Sequence, residues 1–420
     1  MKKNLIQLLF SIPLILSAQA VYAAPNLVDP WTMVKRLGVG INAVCRGTSS
    51  GGDPVWQKRF ATDIANAGFD TVRLWAKPSA KDTGGPPNYI VKASYWANIE
   101  AQIDDSLNAG LNVILVVDEK WYSGSYNQYN KPSNTAAQKK AILDRIVKFW
   151  AQASKRWKNK SENLVYQILN EPAATHGLSW SMPSNAVYMK LLKDSVKAIR
   201  ANDKNRNITF FARNHWNISQ IRPKDIPGLG AYYFGSQHGY PGKDFHSRGK
   251  ALWGPSNSQV TEMNQYFNKI STFVNDKSRH SDGKRHPVAI TEFGTRHKAK
   301  FGGPSTWVYK NGRIEEKERA QYTDYIVKRA RKNDIAILLH SGPAAGNGFN
   351  FSIYRHTNAV GKRWTYPRIV DSITKYSSSS SASPSTSSNS HLEIFSGALP
   401  SLSFGGFAML ALSEFGVIEG

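Results

Sequence analysis

The sequence predicts an α/β chain closed into a (β/α)8 TIM barrel as a single domain, and three observations carry that prediction. Eight short apolar segments alternate with amphipathic stretches between about residues 37 and 375, the rhythm of repeated strand and helix units. The segments are apolar on both sides rather than alternately polar, as strands of a parallel sheet covered on both faces must be. No glycine-rich dinucleotide fingerprint follows the first of them, which puts an open doubly wound sheet second.

In chain order the predicted strands are VGINAV (39–44), DTVRLWA (70–76), NVILVVD (112–118), LVYQILN (164–170), ITFFA (208–212), AYYFGSQ (231–237), PVAITEF (287–293) and IAILLH (335–340). Helices are predicted between them over Trp56 to Ala67, Ala93 to Ala109, Thr135 to Trp157, Ala186 to Asn202, Val260 to Asn275 and Glu315 to Lys332. Apolar residues recur at three and four in AILDRIVKFWAQ and AVYMKLLKDSVKAI, which places one face of each helix on the sheet. Trp56, Trp150 and Trp157 share that spacing and are assigned to the core.

Outside the barrel the chain changes character twice. Lys2 and Lys3, the apolar run Leu5 to Leu16, and Ala18, Ala20 and Ala23 have the order of a secretory signal over 1–23. The run is too short for a comfortable membrane span. The domain itself is expected over 24–375. After it, SSSSSASPSTSSNS reads as a serine-rich linker over 376–390, and 391–420 as a short tail, either disordered or a sorting or anchor segment. Cys45 is the single cysteine, so no disulfide can form within the chain; a buried structural thiol is its expected role.

With 41% hydrophobic, 11% aromatic and 20% charged residues, 420 residues can bury a large core. The formal charge is +24; residues 1–23 hold two lysines and no acid, so their removal leaves +22. That balance favours anionic surfaces. Its clusters, such as KKAILDRIVK and VKRARKND, have helical spacing and read as solvated helix faces. No zinc-knuckle, RNP or P-loop spacing accompanies them, so a nucleic-acid partner is not expected.

Barrels of this kind carry their chemistry at the carboxyl ends of the strands. Polar residues gather there: Asn170 and Glu171 after the fourth strand, Asn214, His215 and Trp216 after the fifth, His238 and Tyr240 after the sixth, and Glu292 at the seventh. Glu171 and Glu292 are 121 residues apart, yet strands four and seven face each other across a barrel mouth. Cleavage of a glycosidic bond needs two such carboxyl groups, about 5–5.5 Å apart when configuration is retained and about 6.5–9.5 Å when it is inverted.

The stretches ILNEP, ending in Pro172, and ITEFG, ending in Gly294, resemble the acid/base and nucleophile motifs of glycoside hydrolase family 5, the cellulase and mannanase family. The resemblance implies a retaining (β/α)8 catalytic domain, with Glu171 as general acid/base and Glu292 as nucleophile. It implies that Asn170 hydrogen-bonds the sugar 2-hydroxyl. By the same resemblance Arg73, in GFDTVRLW, ends the second strand beside the nucleophile, and in QHGY His238 serves the substrate or the acid/base while Tyr240 serves the nucleophile. Glu171 is then expected to titrate high and Glu292 low.

Two departures bear on substrate choice. After the third strand, where the family often has a histidine, this chain has Asp118, Glu119 and Trp121; after the eighth it has His340 in place of the usual tryptophan platform. Trp75, Trp121, Trp216 and Trp307 are alternative stacking surfaces, and Trp121 and Trp216, on loops after strands, are the chosen sugar-binding candidates. His176, His215, His238 and His340 are dispersed in sequence, so no metal site and no cofactor are expected. The expected protein is a secreted monomer, extracellular or periplasmic, without stable membrane insertion, acting on a polysaccharide. An endo-β-1,4-glucanase comes first. A mannanase, xyloglucanase or exopolysaccharide hydrolase, or a non-catalytic basic barrel that binds carbohydrate or polyanions, are the alternatives.

Overall fold

The structure, a computed structural model, describes residues 27–43, 55–78, 82–119, 125–174, 178–241, 257–295, 316–340, 353–354 and 363–378. The chain forms two units, Met1–Ser385 and Thr386–Gly420, and every described residue belongs to the first. The signal segment, Cys45, Trp121, His176, Trp307, and the linker and tail beyond Ser378 lie outside the described residues.

Eight strands follow one another as β1 (Val39–Ala43), β2 (Thr71–Ala76), β3 (Asn112–Val117), β4 (Leu164–Gln167), β5 (Ile208–Phe210), β6 (Tyr233–His238), β7 (Val288–Phe293) and β8 (Ala336–Leu339). Each pairs in parallel with its neighbours in sequence, and β8 returns to β1, so the sheet closes into a barrel. That closure excludes the open doubly wound sheet. Arg73 does not end its strand: it is the third of six residues in β2, and its length carries the guanidinium up the barrel interior. β6 starts two residues later than the sequence suggested, because Gly228 and Gly230 adopt left-handed φ values of 75° and 72° and keep the chain turning.

Among the described residues there are eight α-helices: α1 (Pro30–Leu37), α2 (Lys58–Asn66), α3 (Ala93–Asn108), α4 (Ala136–Trp157), α5 (Asn185–Arg200), α6 (Asn257–Asn275), α7 (Glu316–Lys332) and α8 (Pro367–Thr374). Six match the predicted stretches. α1 and α8, eight residues each, are too short for periodicity to reveal. Local chemistry starts them all the same. The Asp29 side chain accepts from the backbone N–H groups of Trp31 and Thr32, with Pro30 pre-set at the first helical position. α4 opens on a capping box between Thr135 and Gln138.

The strands separate two kinds of interior. Outward residues such as Val72, Leu74, Val113, Leu115, Ile290 and Ile337 meet the helices in one continuous core. Each buried side chain of this size contributes about 1.5–3 kcal/mol, so that shell dominates stability. Trp150 and Trp157 are fully buried in it, whereas Trp56 sits at its edge and donates to Asp105 at 3.0 Å. Inside the barrel, α1 closes the floor, packing Met33, Val34 and Leu37 against Ile114, Val165, Phe234, Ala289 and Leu338. Above that floor the filling turns polar. The KKAILDRIVK and VKRARKND clusters lie on α4 and α7, with exposed lysines alternating with buried apolar residues.

The chain stays attached to the barrel through Ser378. The Asp70 carboxylate accepts from the Ser377 hydroxyl at 2.7 Å and from the Ser378 backbone N–H at 2.9 Å, while it also accepts from the Val39 N–H at 2.8 Å.

Candidate active site

A polar residue in the middle of an otherwise apolar strand founds the site. Asn42 in β1, Arg73 in β2 and Gln167 in β4 all point inward and are fully buried. The Arg73 guanidinium donates to Gln167 Oε1 at 2.6 Å, Asn42 Oδ1 at 2.8 Å, Asn170 Oδ1 at 2.7 Å and Glu292 Oε1 at 2.7 Å. Gln167 passes the chain on to Ser236 at 2.7 Å, and Asn42 donates to the Thr291 carbonyl at 2.9 Å. A buried guanidinium is tolerable because each of its three nitrogens finds an acceptor. Burial pulls its pKa down, and Glu292, Glu171 and Glu119 work against that.

Glu292 reaches the network through an irregularity in β7. Alongside β6 and again alongside β8 the register slips by one residue at Thr291 and Glu292, a β-bulge. In a regular strand consecutive side chains point to opposite faces. The bulge lets both Thr291 and Glu292 face inward while Phe293 returns to the outer core. Tyr240 donates to Glu292 Oε2 at 3.0 Å, so both carboxylate oxygens are held. Between His238 and Tyr240, Gly239 leaves room that no other residue could: a Cβ there would lie 1.9 Å from the Tyr266 ring.

Glu171 approaches from the opposite wall. After β4 the chain keeps backbone bonds to both neighbours, from Ile168 N–H to Thr209 and from Asn170 N–H to Val117. It then turns at Glu171, which adopts a left-handed φ of 28°. Such a conformation in a non-glycine residue is strained and concentrates at functional sites. Glu171 Oε1 lies 2.9 Å from His238 Nδ1 and 3.4 Å from His215 Nε2. His340 Nδ1 stands 3.8 Å from Glu292 Oε2.

Ligand atoms of Glu171, His238 and Glu292 lie within 4.8 Å of one another. The histidines that look scattered in sequence are therefore brought together: His215, His238 and His340 all border the two carboxylates. Glu171, His238 and Glu292 are also the described residues that come close enough to share a metal ion. Arg73 puts a fixed positive charge against one of the three.

Charge in this cluster is sorted by environment. Burial pushes His238 down to about 3, against the pull of Glu292 and with help from Arg73, and burial lowers His340 as well. For Glu292, burial alone would raise the pKa, but His238, His340 and Arg73 oppose it and its carboxyl is held well below the usual range. Both imidazoles being neutral at neutral pH, the standing charge that keeps Glu292 ionised is the Arg73 guanidinium, which also donates to it. Burial, then Glu292 and Glu171, raise Tyr240 well above its ordinary value, so it remains a donor.

Of the candidates read from sequence, Arg73, Asn170, Glu171, His238, Tyr240 and Glu292 converge. Trp216 is on the loop after β5, 50% exposed, its ring 4.1 Å from that of His215. Trp121 lies outside the described residues. Sequence reasoning passed over Asn42 and Gln167, and named Glu119 only as standing where the family often has a histidine; Glu119 is fully buried and accepts from Asn170 Nδ2 at 2.7 Å. The signal for the first two was there, a polar residue inside an apolar strand run. Trp75, in the same mouth, donates to Asn42 at 3.3 Å and lies 6.4 Å from the His340 ring.

Comparison with known proteins agrees with this geometry. The chain is 25% identical over 388 residues to Endoglucanase 1 of Ruminococcus albus, covering 86% of this chain and 84% of that one. It is 25% identical over 280 residues to Endoglucanase H of Acetivibrio thermocellus, but that match spans only 27% of the longer relative. A broad-specificity endoglucanase from Clostridium acetobutylicum superposes with a TM-score of 0.62 at 22% identity, over 83% of this chain and 99% of that one, a likeness of fold. Residues 39–342 match the cellulase family, glycosyl hydrolase family 5, from the first barrel strand to just past the last, and the chain belongs to that family.

Proposed function

We propose that the protein is a secreted, retaining endo-β-1,4-glucanase in which Glu171 and Glu292 are the catalytic pair. The observation that carries this reading is the approach of their carboxylate oxygens to within 4.8 Å. That suits direct attack on a sugar and leaves no room for the water an inverting enzyme must seat between them. A barrel that only bound carbohydrate would have no use for two opposed acids.

In the first step Glu292 attacks the anomeric carbon while Glu171 donates its proton to the departing glycosidic oxygen. In the second, Glu171 takes a proton from water, which attacks the same carbon and releases Glu292. Arg73 and Tyr240 keep Glu292 ionised and aimed, and His238 and His215 orient Glu171. Asn170 meets the 2-hydroxyl, where contacts strengthen as positive charge develops on the sugar ring. Trp75 and Trp216 offer faces for neighbouring sugars. Every group named comes from one chain, in keeping with action as a monomer.

The order of Lys2 and Lys3, an apolar run and small residues supports export. No helix among the described residues is long and apolar enough to cross a membrane. The names of the relatives favour a β-1,4-glucan as substrate. A panel of carboxymethyl-cellulose, glucomannan, galactomannan, xyloglucan and xylan, assayed for new reducing ends, tests this: carboxymethyl-cellulose should be cleaved, and exclusive cleavage of galactomannan or xylan would overturn the glucanase assignment.

A further inference from the structure

Glu119 stands two residues past the end of β3 and is fully buried. Its Oε2 accepts from Asn170 Nδ2 at 2.7 Å, while the Oδ1 of the same amide accepts from Arg73 at 2.7 Å. These two partners leave the amide one orientation. A guanidinium only donates and a carboxylate only accepts, so Asn170 cannot exchange its oxygen and nitrogen without losing both bonds. The backbone of Asn170 is held separately, by its N–H on the Val117 carbonyl at 2.8 Å. Main chain fixes where Asn170 starts, and the two charged side chains fix the rotation of its amide.

We propose that Glu119 is a positioning residue for the reaction: by holding one N–H of Asn170, it presents the other to the 2-hydroxyl of the sugar being cleaved. This rests on the glycosidase reading above and adds to it a third carboxylate that never touches substrate. A charge-assisted bond to a buried amide is among the stronger hydrogen bonds. Its loss frees the amide to rotate at the moment when the contact to the 2-hydroxyl should tighten, so the penalty falls on the transition state more than on ground-state binding.

The test compares 2,4-dinitrophenyl β-cellobioside with its analogue lacking the 2-hydroxyl on the ring whose bond is cleaved, each corrected for spontaneous hydrolysis. This leaving group needs no proton, so Glu171 acts here only as the base of the second step, and kcat/KM, which reports the first step, is read beside kcat to keep it apart. E119D keeps the charge but is one methylene too short to reach Asn170. It is expected to lose about tenfold to a hundredfold in kcat on the complete substrate, with KM little changed, and less than about threefold on the 2-deoxy analogue. In an N170A background E119D should cost nothing further. E119Q, which keeps the length and an acceptor oxygen, should lose less than E119D and stands in if E119D does not fold. An equal loss on both substrates, an undiminished loss in the N170A background, or a greater loss for E119Q than for E119D would overturn the proposal. Failure of the glycosidase reading itself is separate: E292A would then match the unsubstituted protein on the complete substrate.

Discussion

Arg73 shows how one residue ties stability to chemistry. Its guanidinium is the charge that keeps Glu292 ionised, and Glu292 is one of the groups that make its own burial tolerable. Replacing Arg73 with methionine leaves a buried carboxylate without its cation, and such losses cost about 3–5 kcal/mol. The variant should melt well below the parent, and the acid limb of its activity profile should move to higher pH as the Glu292 pKa rises. An unmoved limb would mean that Arg73 does not set the ionisation of Glu292. Glu292→Ala should fold yet lose at least about ten-thousandfold in kcat, measured as reducing ends released from the best polysaccharide. Full activity would sink the nucleophile assignment. The neutral imidazoles predict a pH dependence of stability. The pKa of His238 is depressed from an unfolded value of about 6.5 to about 3. Its contribution is therefore fully present above pH ~6.5 and fades as pH falls toward the folded value. Thermal melts of His238→Asn should lose part of the parent's decline between about pH 6.5 and 4.

At the scale of elements, the site depends on two local breaks in barrel regularity, the β7 bulge and the close approach of Gly239. A regular β7 would turn Glu292 toward the helices, and a side chain at position 239 would push β6 away from Tyr266. Gly239→Ala should cost about 1–3 kcal/mol from overpacking and lower kcat more than it changes KM, since His238 and Tyr240 flank the shifted backbone. A melting temperature and kcat both equal to those of the parent would show that Tyr266 yields freely.

For the whole molecule, the boundary of the folded unit is a measurable quantity. Tyr376 donates to Asp324 at 2.7 Å, and Ser377 and Ser378 both bond Asp70, the carboxylate that also holds the start of β1. A chain ending at Ser378 should keep the melting temperature and the activity on soluble glucan of the full chain. One ending at Lys375 loses these bonds and should be less stable by about 1–3 kcal/mol. Equal melting points for the two truncations would show that the last three residues hold nothing.

The barrel itself was legible because a parallel sheet covered on both faces leaves a repeated local mark, an apolar run followed by an amphipathic one, and all eight strands and six of the eight helices among the described residues stand where that mark falls. Motifs at strand ends were legible for the same reason: the carboxyl ends of parallel strands share one rim, so ILNEP and ITEFG had to meet. What tertiary structure alone decided is which polar residues become partners. Asn42 and Gln167 show in sequence only as polar residues within apolar runs, and Glu119, His215 and His340 only as polar residues after strand ends, because their contacts with one another and with Arg73, Asn170 and the two catalytic candidates span dozens to hundreds of residues and exist only once the ring of strands is closed. Even the inward turn of Glu292 depends on how β7 fits its two neighbours, a match of registers that no single segment encodes.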